Sequence, residues 1–241
     1  MSHKHKNNWL FFRRTKLCHL CSGANIFKAG LCQDCFNDMP WLGHSCERCS
    51  LPLQIPISQD TLCPACFKRP PPFDRIISAL EYRFPVDQLI QAIKFNHQSQ
   101  HLNLLAELLA EELLRHLAEN TRPDIILPVP MDRFRLLHRQ FNHSALLVKR
   151  IASVLNISYR FDLLIKPGKT EQQSGLNRQQ RQRNLRNKFL CTEKPPAHVA
   201  VIDDVVTTGA TAIEIARTLK QAGAQRVDIW SVARTGKGSY L

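Results

Sequence analysis

From about residue 75 onward the apolar positions fall into short runs separated by polar turns. Ile76 to Tyr82 is a mostly apolar run of strand length. Val86, Leu89, Ile90 and Ile93 recur at i, i+3, i+4 and i+7, the spacing of one helix face. Leu102 to Leu117 carries Leu105, Leu109 and Leu113 on one stripe and predicts a second helix. Asp124 to Val129 reads as a short strand ended by Pro128 and Pro130, and Ser144 to Leu155 as a helix. Val199 to Ile202 is a continuous apolar strand. Thr211 to Ala222 is a helix closed by Gly223, and Val227 to Val232 is a last strand. Strands alternating with helices predict an α/β fold with a doubly wound, mainly parallel sheet. The leucine-rich faces are read as core.

Residues 15–68 lack these periodicities and carry cysteine instead. Four Cys-x-x-Cys pairs occur: Cys18/Cys21, Cys32/Cys35, Cys46/Cys49 and Cys63/Cys66, with gaps of ten, ten and thirteen residues between pairs. Two residues between thiolates let one tight turn offer both sulfurs to a metal, and two such knuckles complete a tetrahedron around zinc. A disulfide framework competes, but it needs an oxidising compartment and nothing here signals export. Zinc is the expected cofactor, about two ions per chain. The grouping is either sequential or cross-braced. His19 and His44 are bystanders, and Cys191 is an ordinary small residue. Arg69-Pro70-Pro71-Pro72 is a stiff connector. The expected organisation is therefore a double zinc ribbon at 15–68, a proline-rich linker at 69–75 and an α/β domain at 76–235.

Charge narrows the partners. The chain of 241 residues has 33 Lys and Arg against 20 Asp and Glu, a formal +13. Eight zinc-bound thiolates would lower this to about +9, so the chain stays basic. Such a surplus favours polyanions: nucleic acid, nucleotides or phosphosugars. It concentrates in two segments. Arg160 to Leu190 holds eight Lys or Arg against two acids, and Met131 to Arg150 holds five against one. No apolar run approaches the roughly eighteen residues that cross a bilayer. Trp9 to Phe12 is too short for a signal-peptide core. These features predict a cytoplasmic protein without membrane insertion.

The stretch richest in chemistry is Val199-Ala200-Val201-Ile202-Asp203-Asp204-Val205-Val206-Thr207-Thr208-Gly209-Ala210-Thr211. An apolar strand runs into two acids, then a small hydroxylic loop, then a helix. Such a junction leaves backbone N–H groups unpaired at the positive end of the helix dipole, a geometry that holds phosphate. Thr207, Thr208 and Thr211 add hydroxyl donors, and Gly209 permits close backbone approach. Asp203 and Asp204 are placed to accept hydrogen bonds from two adjacent sugar hydroxyls. A simple N-cap is the plainer reading, but it requires only one such residue. No Gly-Lys-Ser/Thr follows, which excludes a Walker loop.

Ile202-Asp203-Asp204-Val205-Val206-Thr207-Thr208-Gly209 resembles the phosphoribosyl-pyrophosphate (PRPP) motif of type I phosphoribosyltransferases. The whole chain resembles the ComF/GntX family, in which a double zinc ribbon precedes a phosphoribosyltransferase-like domain. Pro128-Val129-Pro130, Arg139-Gln140-Phe141-Asn142, and Gln173-Ser174-Gly175-Leu176 with Arg181 and Arg183-Asn184-Leu185 support the narrower match. The resemblance implies that Asp203 and Asp204 hold ribose hydroxyls and that Thr207 to Thr211 hold the 5′-phosphate. It places a pyrophosphate loop between Pro130 and Arg139 and a basic hood over 169–188. Arg133, Arg139, Arg178, Arg181 and Arg183 are then candidate phosphate or DNA contacts. Magnesium would arrive with PRPP. The family resemblance further implies a competence role, handling incoming single-stranded DNA alongside a helicase-like competence ATPase. Phe161 and Phe189 are the nearest stacking candidates. An active phosphoribosyltransferase acting on an unknown base or amine is the alternative, and a ligand-sensing scaffold a third.

Overall fold

The computed structural model describes residues 17–53, 61–96, 100–117, 122–131, 142–167 and 189–236. By packing, the chain divides into two compact units, up to Met39 and from Pro40. The smaller unit is a short antiparallel ribbon, β1 (Ile26–Lys28) with β2 (Leu31–Cys32), followed by α1 (Gln33–Asn37). Gly30 sits in its turn at φ +73°, and a Cβ there would meet the His19 ring at 2.3 Å.

The larger unit opens with α2 (Pro64–Lys68) and is built on four parallel strands. These are β3 (Arg75–Glu81), β4 (Ile125–Pro128), β7 (His198–Val206) and β8 (Arg226–Arg234), in the order β3-β8-β7-β4. Between them run α3 (Val86–Asn96), α4 (Gln100–His116), α5 (His143–Leu155) and α6 (Ala210–Gln221). A two-stranded antiparallel ribbon, β5 (Leu164–Ile165) with β6 (Leu190–Cys191), completes the element set. The predicted strands and helices are thus observed within a few residues of their expected ends. The chief difference is β7, which continues through both acids to Val206.

Parallel strands are covered on both faces, so they read as near-continuous apolar runs. Every side chain of Val199 to Ile202 and of Val227 to Trp230 is buried, including the one charged residue, Asp228. Ile125, Leu127, Val199, Val201, Val227 and Ile229 face Ile215, Ala216 and Leu219 of α6 in one core. The helices α4 and α5 pack on the sheet elsewhere, against β3, β4, β7 and β8. Cys46, Cys49, Cys63, Cys66 and Phe73 belong to the α6-side core. The prolines mark a change in sequence character, but the second knuckle pair packs with the larger unit.

That pair also protects an edge. An exposed edge strand invites pairing with another chain. Here Ile76 N–H donates to Arg48 O (2.8 Å), Leu42 N–H to Ala79 O (2.9 Å), and Glu81 N–H to Pro40 O (2.8 Å). The opposite edge is closed by Ser158 to Arg160, which bond to both sides of Ile126. Among the described residues, no helix is long and apolar enough to cross a membrane.

Candidate functional site

Two thiol clusters are fully formed. Cys18, Cys21, Cys32 and Cys35 bring their sulfurs within 4.8 Å of one another, and so do Cys46, Cys49, Cys63 and Cys66. The grouping is sequential. Cys21 Sγ lies 3.7 Å from Cys32 Sγ, and Cys49 Sγ lies 3.7 Å from Cys63 Sγ. A zinc tetrahedron with about 2.3 Å bonds has edges of about 3.8 Å, so both sets fit the metal. The sulfurs accept backbone N–H bonds: Gly23 to Cys21 at 3.4 Å and Cys63 to Cys46 at 3.3 Å. None of the nine cysteines is in a disulfide. Packing so many together is electrostatically awkward. The Cys46 thiol is pulled down to about 4, mainly by the hydrogen bond from Cys49, while Cys49 is pushed strongly up by the same contact. A divalent cation resolves this by stabilising every thiolate at once. His19 and His44 belong to neither set.

The second site lies at the carboxyl end of β7. Val129, Asp203, Val205 and the loop from Val206 to Thr211 line a small open crevice of about 40 Å³. Gly209 caps α6 at φ +77°, a left-handed conformation that glycine adopts without strain. Thr207, Thr208, Ala210 and Thr211 are exposed. Thr208 Oγ1 accepts from Ala210 N–H at 3.3 Å, and Gly209 O accepts from Ile213 N–H at 2.9 Å. The first-turn amides of α6 therefore face the crevice end of the helix dipole, where an anion is favoured.

The two acids are not equivalent. Successive strand residues point to opposite faces. Asp203 lines the crevice, whereas Asp204 does not and pairs with Lys94 of α3 at 2.5 Å. Their own carboxylates brace the strand end: Asp203 Oδ1 accepts from Asp204 N–H (2.9 Å), and Asp204 Oδ1 from Val205 N–H (2.8 Å). Burial pushes the Asp203 carboxyl up to about 7, and the charge of Asp204 adds to the rise. Lys94 opposes it, and no local signal in the sequence marks that lysine.

The floor of the loop rests on Arg234, another residue the motif reading missed. Its guanidinium, buried at the end of β8, donates to Val206 O (3.0 Å), to Thr207 O and to Cys49 O (3.0 Å). Asn142 explains part of the Arg139-to-Asn142 signature. Its side chain caps α5 by accepting from Ser144 N–H (3.0 Å) and donates to Val129 O (3.1 Å) beside the crevice.

Arg133, Arg139, Arg178, Arg181 and Arg183 lie outside the described residues, as does the 169–188 hood. Within the basic segment that is described, Arg160 is held by Asp162 (2.8 Å) and Glu193. The two stacking candidates part ways. Phe189 is buried in the α6-side core, while Phe161 is exposed and packs on Tyr159 with ring centroids 5.1 Å apart. Lys149 stands 5.7 Å over the Phe161 ring.

A family model described as a double zinc ribbon domain matches residues 8–67. DNA utilization protein YhgH of Salmonella typhimurium is 34% identical over 223 residues, covering 91% of this chain and 97% of the relative. Competence protein F of Haemophilus influenzae is 32% identical over 227 residues, covering 90% and 96%. Among solved structures, glutamine PRPP amidotransferase from B. subtilis matches 60% of this chain and 30% of its own at 21% identity and TM-score 0.41.

Proposed function

We propose a function from the premise that this chain belongs to the ComF/GntX family of competence and DNA utilization proteins: it handles single-stranded DNA in the cytoplasm and binds a phosphorylated ribose at the β7–α6 junction. The observation that carries the reading is the convergence of Asp203, the Thr207–Thr211 loop and the α6 N-terminus on one crevice. The amides and threonine hydroxyls take the 5′-phosphate. Asp203 accepts from the ribose hydroxyls, while Asp204, on the other face and paired with Lys94, braces the strand end beside them. PRPP is one ligand that supplies both a 5′-phosphate and vicinal hydroxyls. Magnesium travels on its pyrophosphate: among the described residues the groups able to hold a metal are the two cysteine sets, not a carboxylate cage.

In this reading the basic segments at 131–150 and 160–190 attract the DNA backbone, and bases stack on the Tyr159–Phe161 aromatic pair. Arg133, Arg139, Arg178, Arg181 and Arg183 supply the phosphate contacts, and a helicase-like competence ATPase is the partner that delivers the strand. The test is calorimetric titration with magnesium and PRPP, then competition with a single-stranded oligonucleotide across a salt series. One-to-one PRPP binding and DNA affinity that falls steeply with salt are expected. Absence of DNA binding at low salt contradicts the reading.

One observation favours an active phosphoribosyltransferase. The Asp203 carboxyl lines the crevice, and burial raises it above the ordinary carboxylate range, the direction that favours proton exchange near neutral pH. Release of pyrophosphate from PRPP with a base or amine acceptor would establish that activity.

A further inference from the structure

Arg234 is a buried cation that meets no carboxylate among its bonded partners. Its partners are carbonyl oxygens. Nε donates to Cys49 O at 3.0 Å, and Nη1 donates to Val206 O at 3.0 Å, to Thr207 O and to Thr235 O at 3.2 Å. Cys49 is a ligand residue of the second thiol cluster, and Val206 and Thr207 begin the crevice loop. One planar, rigid fork therefore spans from a metal knuckle to the phosphate loop. The knuckle is independently held: Ser50 N–H donates to Cys46 O at 2.8 Å, and Ser50 Oγ to Ile76 O at 2.8 Å. Thr235 N–H closes the other side by donating to Val206 O at 3.1 Å.

We infer that Arg234 is a positioning residue that makes the ligand loop's conformation depend on metal at the second cysteine cluster. The inference rests on the reading of that loop as a phosphate site, and it adds a regulator to it. With metal bound, the Cys46–Cys49 knuckle is fixed, Cys49 O stays aimed at Nε, and the guanidinium holds Val206 and Thr207 in place. Loss of the metal leaves the knuckle held by the Ser50 and Leu51 hydrogen bonds alone and loosens one anchor of the fork. The carbonyls of Val206 and Thr207 then lose their shared donor, and the adjoining amides no longer converge. Arg234 bonds to a ligand residue of the second cluster, so the dependence is assigned to that cluster. The ribbon thereby acts as more than a staple: oxidation or metal loss at Cys46, Cys49, Cys63 or Cys66 weakens phosphate binding at the β7–α6 junction.

The test is hydrogen–deuterium exchange on the full zinc-loaded chain, wild type against Arg234→Lys. Lysine keeps the charge but cannot span both sides. The Thr207–Ala212 amides should exchange about tenfold faster in the variant, while central β7 and β8 amides keep their rates. Equal loop rates, or acceleration throughout the sheet, overturn the inference. Should Arg234→Lys not fold, Cys63→Ser and Cys32→Ser replace it, each removing one ligand from one cluster. Loop acceleration in Cys63→Ser alone supports the coupling, and equal effects in both overturn it. Titration with magnesium and PRPP separates the two ideas. If wild type binds no PRPP but the exchange pattern holds, the coupling stands and the ligand assignment falls. If wild type binds PRPP and Arg234→Lys binds it equally with unchanged loop exchange, the coupling falls and the ligand assignment stands.

Discussion

Replacing Asp203 with Asn should stabilise the protein while removing its ligand affinity, and the gain should grow with pH. In the folded chain the Asp203 carboxyl is raised from 3.8 to about 7, by burial first and by Asp204 second. An acid whose folded value exceeds its unfolded value holds its proton more tightly when folded. Its contribution to stability is full below about pH 4, declines as pH rises, and is gone above about 7. At 1.36 kcal/mol per pH unit, the interval from 5.5 to 7 corresponds to about 2 kcal/mol. Asparagine cannot ionise, yet its Oδ1 still accepts from Asp204 N–H as the carboxylate does at 2.9 Å. The stability of Asp203→Asn relative to wild type should therefore increase by about 2 kcal/mol between pH 5.5 and pH 8. Urea unfolding followed by circular dichroism at several pH values measures it. A difference that is constant with pH, or an Asn variant less stable than wild type at pH 8, refutes the reasoning. The outcome matters because a site that stores destabilising charge is a site kept for binding.

Other outcomes follow from the same geometry. Metal analysis should find about two zinc ions per chain, and Cys63→Ser should retain one and lose more than about 3 kcal/mol of stability, since structural zinc binding is worth on the order of ten. Gly209→Ala puts a Cβ at φ +77°; it should cost about 1 kcal/mol of stability and weaken PRPP binding in calorimetry. Tyr159→Ala with Phe161→Ala should lower single-stranded DNA affinity by about 1–3 kcal/mol per stacked base in fluorescence anisotropy, with PRPP binding unchanged. Unchanged DNA affinity would dismiss the aromatic pair as a stacking platform.

What the sequence makes legible is what is local. A Cys-x-x-Cys knuckle is a two-residue turn, so four of them announce two metal sites without reference to the fold. The β7–loop–α6 motif is likewise one contiguous stretch, and its hydroxyls and glycine declare an anion site. Strand and helix periodicity was readable because parallel strands and amphipathic helices each repeat on their own scale. What stayed hidden depends on contacts across the chain. Lys94 and Asp204 are far apart in sequence, and only the packing of α3 beside β7 brings them to 2.5 Å. Arg234 ends a buried strand, but nothing nearby states that its fork reaches Cys49. Phe189 and Phe161 look alike as isolated aromatics, yet one is buried in the α6-side core and the other is exposed. Cys46, Cys49, Cys63 and Cys66 pack in one core with residues far along the chain, such as Ile215 and Leu219, which no local pattern states.

The most direct test is a crystal of the wild-type chain soaked with PRPP and magnesium, read for the position of the 5′-phosphate. That phosphate should lie against the Thr207–Thr211 amides, with the ribose hydroxyls toward Asp203. Clear ligand density anywhere else, or a β7–α6 crevice that stays filled by solvent while the ligand binds another surface, would contradict it.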